Sequence, residues 1–116
     1  MKRELAEKRG RRGESWAAWW LRLHGWCIVA RRAKTPRGEI ALIARRGGTV
    51  AFVEVTWRAA APDLALAIDE YRLRRVAAAV EVVAHRYAGP HDTIRVDVLL
   101  LAPGRWPRHI VNAWQP

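Results

Sequence analysis

The chain has a single cysteine, Cys27, in 116 residues, which excludes an internal disulfide framework and any zinc site built from several thiolates. No apolar run approaches the ~18 residues of a bilayer span. A membrane anchor is therefore not expected. The N-terminus is basic but continues through Glu4, Glu7 and Glu14 without the apolar stretch of a secretion signal, so a cytoplasmic location is expected. Lysine is also scarce: Arg outnumbers Lys eighteen to three, and no Lys follows Lys34. Acidic residues are outnumbered, eleven against twenty-one basic ones, for a net charge of +10. Such an excess points to a polyanionic partner, above all nucleic acid. The length suits one domain spanning 1–116.

Trp16, Trp19, Trp20 and Leu23 recur at helical spacing and predict a first helix over 3–24, closed by Gly25, with these rings as its core face. Strands are predicted over Trp26–Arg32, Glu39–Arg46 and Thr49–Trp57, with a loop at 34–38 and a two-residue turn at Gly47-Gly48. Cys27 falls in an apolar stretch and reads as a small buried hydrophobe. Pro62-Asp63 opens a second helix reaching about Tyr87, with Leu73, Val76, Ala77, Val80, Ala84 and Tyr87 as its apolar stripe. Thr93–Leu101 reads as a buried strand, and His109–Trp114 as a short last strand or edge. The order αβββαβ(β) predicts an α/β fold, a mixed sheet flanked by helices.

A turn at Gly47-Gly48 pairs Arg46 with Thr49, Ile43 with Phe52, Ala41 with Glu54 and Glu39 with Thr56. Alternation then sets Glu39, Ala41, Glu54 and Thr56 on one face, and Ile40, Leu42, Val53 and Val55 on the other. Two carboxylates at one end of a core-like hairpin need a cation, a proton or water. A solvated or salt-bridged sheet end and a phosphodiester-processing or metal site both meet that need.

Arg12-Gly13-Glu14, Ala17-Ala18, Leu21, Gly25-Trp26, the run Gly38 to Ala44, the run Phe52 to Arg58, Val96-Asp97-Val98 and the run His109 to Trp114 follow one another in an order that resembles the YraN family. These are small bacterial proteins with a restriction-endonuclease-like fold, similar to Holliday-junction resolvases and other PD-(D/E)xK nucleases. The resemblance implies an αβββαβ core. It also implies motifs G-E-I-D-L-I-A and F-V-E-V-K-x-R, in which an Asp and a Glu facing each other hold Mg²⁺ or Mn²⁺ and a Lys serves the attacking water. Glu14 matches a helix glutamate that approaches this site in related resolvases.

Here Ala41 stands at the Asp position and Thr56 at the Lys position. Ala has no ligand atom, and Thr has neither the charge nor the reach of an ammonium. The lysine many members carry in the second helix is absent near Tyr71. What remains is Glu54, Glu39 and Glu14 as a remnant catalytic or metal site, with Asp97 as a further carboxylate for a displaced cluster and Arg58 as a source of charge. Arg31, Arg32, Lys34, Arg37, Arg45, Arg46, Trp57 and Arg58 are the candidates for nucleic-acid contact, the arginines and lysine to phosphate and Trp57 by stacking. The reading is a nucleic-acid-binding protein, for DNA above RNA, weakened or inactive as a nuclease. The alternatives are a residual Mg²⁺-dependent endonuclease on branched or single-stranded DNA, and a protein-interaction module. The four histidines show no ligand spacing, and exposed Trp106 and Trp114 would favour a homodimer or partner surface.

Overall fold

A computed structural model describes the backbone of residues 2–57 and 70–114, with side chains from Arg12 onward. The first helix, α1, is Lys2–Leu23. It ends as its glycine predicts: Gly25 takes φ +87°, and the Trp26 amide donates to the Leu21 carbonyl at 3.0 Å, satisfying a carbonyl that the helix itself leaves open. The strands β1 (Cys27–Thr35), β2 (Gly38–Arg46) and β3 (Thr49–Trp57) follow. Then come the second helix, α2 (Glu70–Tyr87), and strands β4 (Thr93–Leu101) and β5 (Arg108–Ile110). The five strands lie in chain order in one sheet, all antiparallel except β3 and β4, which α2 joins in parallel. This is the α/β architecture expected, a mixed sheet between two helices, consistent with a restriction-endonuclease-like core. Among the described residues no helix is long and apolar enough to cross a membrane.

The expected loop at 34–38 shrinks to Pro36-Arg37. The Thr35 hydroxyl donates to the Gly38 carbonyl at 2.7 Å and accepts from the Arg37 amide at 3.1 Å, so the turn is satisfied by one side chain and both strands run up to it. At the other end Asn112 takes φ +53°, which cuts the last strand to Arg108–Ile110. The chain beyond still holds to β4 through the Ala113 amide and the Val96 carbonyl, 2.7 Å apart. The start of the second helix expected at Pro62-Asp63 lies outside the described residues.

Each face of the sheet has its own core. On the α2 side Ile40, Ile43, Phe52, Val96, Val98 and Leu100 meet Leu73, Val76, Ala79, Val80 and Val83. On the α1 side Leu42, Ala44, Ala51, Val53, Leu99 and Leu101 meet Ala17, Ala18 and Leu21. The tryptophan stripe expected to be the core face of α1 reaches that core only in part: Trp16 and Trp20 are half-buried against it, while Trp19 is 57% and Leu23 61% exposed. The buried row is Gly13, Ala17, Ala18 and Leu21. Small residues let the helix axis approach the sheet, and indoles at those positions would hold it off. A Cβ on Gly13 would stand 2.5 Å from Trp57 Nε1. In α2, Leu73, Val76 and Val80 are buried as expected and Ala84 and Tyr87 pack half-buried against them, while Ala79 and Val83 join the core and Ala77 does not. Cys27, expected inside, is exposed because it begins an edge strand paired on one side only.

Candidate functional site at the parting of two strands

The β2–β3 register is the one the glycine turn predicts, from Arg46↔Thr49 through Ile43↔Phe52, but it runs only to Leu42↔Val53. Beyond that point β2 stays with β1 (Ile40↔Ala33, Glu39↔Lys34) and β3 stays with β4 (Glu54↔Val98, Thr56↔Leu100). Ala41 and Glu54, expected face to face, instead mark where the two halves of the sheet separate.

The cause lies in β1. Its register shifts between Ile28 and Ala30, and Arg32, next to the Ala41 position, takes a left-handed φ of +52°. Bulges increase local twist, which accounts for β2 following β1 rather than β3 beyond Leu42. They also break the alternation: Ile40 faces the α2 core and Leu42 the α1 core, so Ile40 does not share a face with Leu42, Val53 and Val55 as the simple two-residue period requires.

On β3 the alternation holds. Val53, Val55 and Trp57 pack toward α1, which places Glu54 and Thr56 toward α2. A cavity of about 160 Å³ opens there, lined by Gly38, Glu39, Glu54, Arg72, Arg75 and Val76. Thr56 is buried. The Arg72 guanidinium donates to Glu54 Oε1 at 2.5 Å. Burial pushes the Glu54 carboxyl above its usual range; Arg72 pulls it back in part, and the negative charges of Glu14 and Glu39 add to the rise.

Glu39 and Glu54 thus share one cavity, and Glu14 lies within electrostatic reach. Glu14 itself accepts from Arg32 Nε at 2.6 Å. Beside it Arg31 donates to the Ser15 hydroxyl at 3.0 Å, and these four residues line a second cavity of about 330 Å³. Lys34 and Arg37 are exposed at the same end of the β1–β2 hairpin as Glu39.

The structure does not bring the other candidates here. Asp97 is on the α1 face, fully buried, and cannot join a displaced carboxylate cluster. It accepts from Arg95 Nη2 at 2.8 Å, His109 Nε2 at 2.7 Å and the Asn112 amide at 2.9 Å. Burial would raise its carboxyl, but these donors together hold it below the usual value. Arg45 and Arg46 sit at the far end of β2, about 20 Å from Glu39 at the rise of a strand. There Arg45 grips Asp92 with both guanidinium nitrogens, 2.9–3.0 Å, and Arg46 donates to the His24 carbonyl at 3.1 Å while stacking 4.4 Å over Trp26. Trp57, expected beside the site, packs toward α1 on the opposite face from Glu54. Arg58 lies outside the described residues.

Sequence reasoning missed Arg72 and Arg75. The signal was present: they are spaced i, i+3 on α2, each one position before a core residue, Leu73 or Val76, so both emerge on the border of the helix that overhangs the sheet. It also missed that His109 is tied to a buried Asp97.

A divalent cation at this site does not fit the side chains present. Ala41 offers no ligand atom, Glu54 is taken by Arg72, and Glu14 by Arg32. Among the described residues no three His, Cys, Asp or Glu side chains are grouped to hold a metal ion. A guanidinium supplies the positive charge that a metal would have brought to Glu54, but it can neither bind water as a ligand nor acidify it.

Over residues 13–101 the sequence matches the family model described as Uncharacterised protein family UPF0102. The chain belongs to the UPF0102 family. It is 66% identical to a UPF0102 protein of Sphingopyxis alaskensis and 63% identical to one of Erythrobacter litoralis, in both cases over the whole of both chains. A UPF0102 protein of Rhizorhabdus wittichii is 59% identical over 97% of this chain and 96% of its own. The YraN-type motifs read in the sequence are thus those of UPF0102. Ala41 and Thr56 stand at the parted end of β2 and β3.

Proposed function

We propose that this UPF0102 protein binds nucleic acid, DNA above RNA, through the end of the sheet where β2 and β3 part, and that it is weakened or inactive as a nuclease. The observation that carries the reading is the Arg72–Glu54 ion pair. It leaves a nuclease-like cleft with its carboxylate neutralised by protein, with Ala41 and Thr56 where metal ligand and lysine are expected. Around the cleft Lys34, Arg37 and Arg75 are exposed, without carboxylate partners among the described residues, in a chain of net charge +10. Cations so placed bind phosphate oxygens whatever the base sequence.

The test is fluorescence anisotropy with labelled duplex, branched and single-stranded DNA. Affinity is expected to fall steeply, by about 10³ for six phosphate contacts, between about 50 and about 200 mM salt. Arg75→Ala together with Lys34→Ala is expected to flatten that dependence. Salt-independent binding, or none, refutes the reading. In parallel, incubation with Mg²⁺ or Mn²⁺ is expected to give no cleavage that Glu54→Ala abolishes, and such cleavage would establish a residual endonuclease instead.

A further inference from the structure

A second feature, on the opposite face of the sheet from Glu54, has no part in that reading. Arg12, Trp16 and Trp20 recur every four residues along α1, one row with a rise of about 6 Å per step, and His24 continues it into the turn beyond. Trp106, from the segment between β4 and β5, lies against two of them, its ring centroid 6.1 Å from Trp16 and 5.9 Å from Trp20, tilted by 31° and 34°. Trp20 in turn lies 4.1 Å from the His24 ring, which its Nδ1 fixes by a 2.8 Å bond to the Trp20 carbonyl. The result is one continuous series of rings, with a groove of about 540 Å³ between Trp16 and the 102–106 segment.

Trp106 is 72% exposed. An indole held in a ring cluster and still open to water is apolar surface waiting for a partner. The rim chooses the kind of partner. Arg12 and Arg105 are exposed, and among the described residues neither has a carboxylate partner. A second copy of this chain seated on the patch would bring two sets of Arg12 and Arg105 into one interface between molecules of net charge +10, adding like charge to like. A single strand of nucleic acid carries flat rings and anionic phosphates in alternation, matching both parts of the patch.

We propose that Trp16, Trp20 and Trp106 form a stacking platform for unpaired nucleobases, with Arg12 and Arg105 holding the adjoining phosphates. The proposal rests on the nucleic-acid reading above and adds to it a single-stranded ligand and a second contact surface. Stacking on indole accepts any base and adds to the charge term, so this surface prefers unpaired over paired strands.

The experiment compares labelled oligothymidylate, oligouridylate and a duplex of equal length, binding to wild type, Trp106→Ala, Trp106→Phe and Arg105→Ser. Trp106→Ala is expected to weaken oligothymidylate and oligouridylate binding roughly tenfold while duplex binding changes less than about twofold, and Trp106→Phe is expected to restore part of the loss. Arg105→Ser, which leaves every ring in place, is expected to steer the same preference in the same direction and guards against a folding defect in Trp106→Ala. Single-strand binding untouched by Trp106→Ala and Arg105→Ser overturns the platform while leaving the cleft reading intact. Equal losses for single strand and duplex overturn it too. A wild-type mass that rises with concentration, and stops rising in Trp106→Ala, makes the face a homodimer contact and overturns it. A wild type that binds none of the three probes fails the cleft reading as well.

Discussion

Two carboxylates on neighbouring strands, Glu54 on β3 and Asp97 on β4, each lie beside an arginine, yet they are opposite in character. Asp97 is completely buried and accepts from Arg95, His109 and the Asn112 amide. Glu54 opens onto a cavity and accepts from the Arg72 guanidinium. Burial raises both; the donors outweigh it at Asp97 and only temper it at Glu54. A carboxylate whose lone pairs are filled by its own chain holds the fold together. One held by a single half-exposed guanidinium, at the place where two strands separate, contributes little to the fold. The surroundings agree: Arg95 and Arg46 lie at 5.3 and 4.4 Å from the Trp26 ring, joining β4 and β2 to the residue that leads into β1, whereas the Glu54 end has lost its β2–β3 ladder.

The largest effect is expected at Asp97. Asp97→Ala leaves Arg95 and His109 facing each other without an anion, and is expected to cost about 3–5 kcal/mol in urea unfolding, as for a buried ion pair stripped of one partner. Asp97→Asn keeps the shape and sharpens the point with pH. Because folding lowers the Asp97 pKa, its stabilisation is present above the unfolded value of about 3.8 and is lost as pH falls through the folded one. The gap in stability between wild type and Asp97→Asn is therefore expected to narrow on acidification below that value. A gap constant with pH would show that the donors do not hold the charge.

Next in size is Gly13→Ala. In an exposed helix the change gains up to about 1 kcal/mol, but here the new methyl meets the Trp57 ring at 2.5 Å. Overpacking of this kind costs about 1–3 kcal/mol, so a lowered melting temperature is expected. A raised one would mean that the α1 face has slack that the contact distance denies.

The smallest effect is expected at Glu54. Glu54→Gln removes a charge that burial disfavours, and leaves Arg72, which is about half exposed, to be solvated; stability at neutral pH is expected to stay within about 1 kcal/mol of wild type. The sign of the pH dependence is opposite to that of Asp97. With its folded pKa raised above 4.5, Glu54 takes up a proton more readily when folded, so wild type gains on Glu54→Gln as pH falls through the raised value toward 4.5. If instead Glu54→Gln unfolds the protein, Glu54 is a structural residue like Asp97 and the contrast disappears.

Much of the fold was legible because it is written in local chemistry. Gly25 ends a helix and Gly47-Gly48 closes a hairpin with one register, so α1, β2, β3 and the pairing Ile43↔Phe52 follow from short-range rules. The candidate site was half legible. Glu39 and Glu54 reach the same cavity, as their alternation implies, but along β2 the alternation fails between Ile40 and Leu42, beside a left-handed Arg32 on the neighbouring strand, and no period within β2 records that. The tryptophans misled for a related reason. Helical spacing reports that Trp16 and Trp20 share a face; it does not say whether that face or the Gly13, Ala17, Leu21 face meets the sheet, and close approach of helix to sheet favoured the small side chains.

By itself the sequence determined the order of elements, the hairpin register from Arg46↔Thr49 to Ile43↔Phe52, and the family, all of which depend on residue identity and near neighbours. Only the tertiary structure decided who partners the carboxylates left behind. Arg72 reaches Glu54 across eighteen residues and Arg32 reaches Glu14 across the same separation, while His109 and Arg95 close on Asp97 from two strands. Which charge meets which depends on how far two helices stand from a twisted sheet, a distance set by the sum of all the packing in both cores.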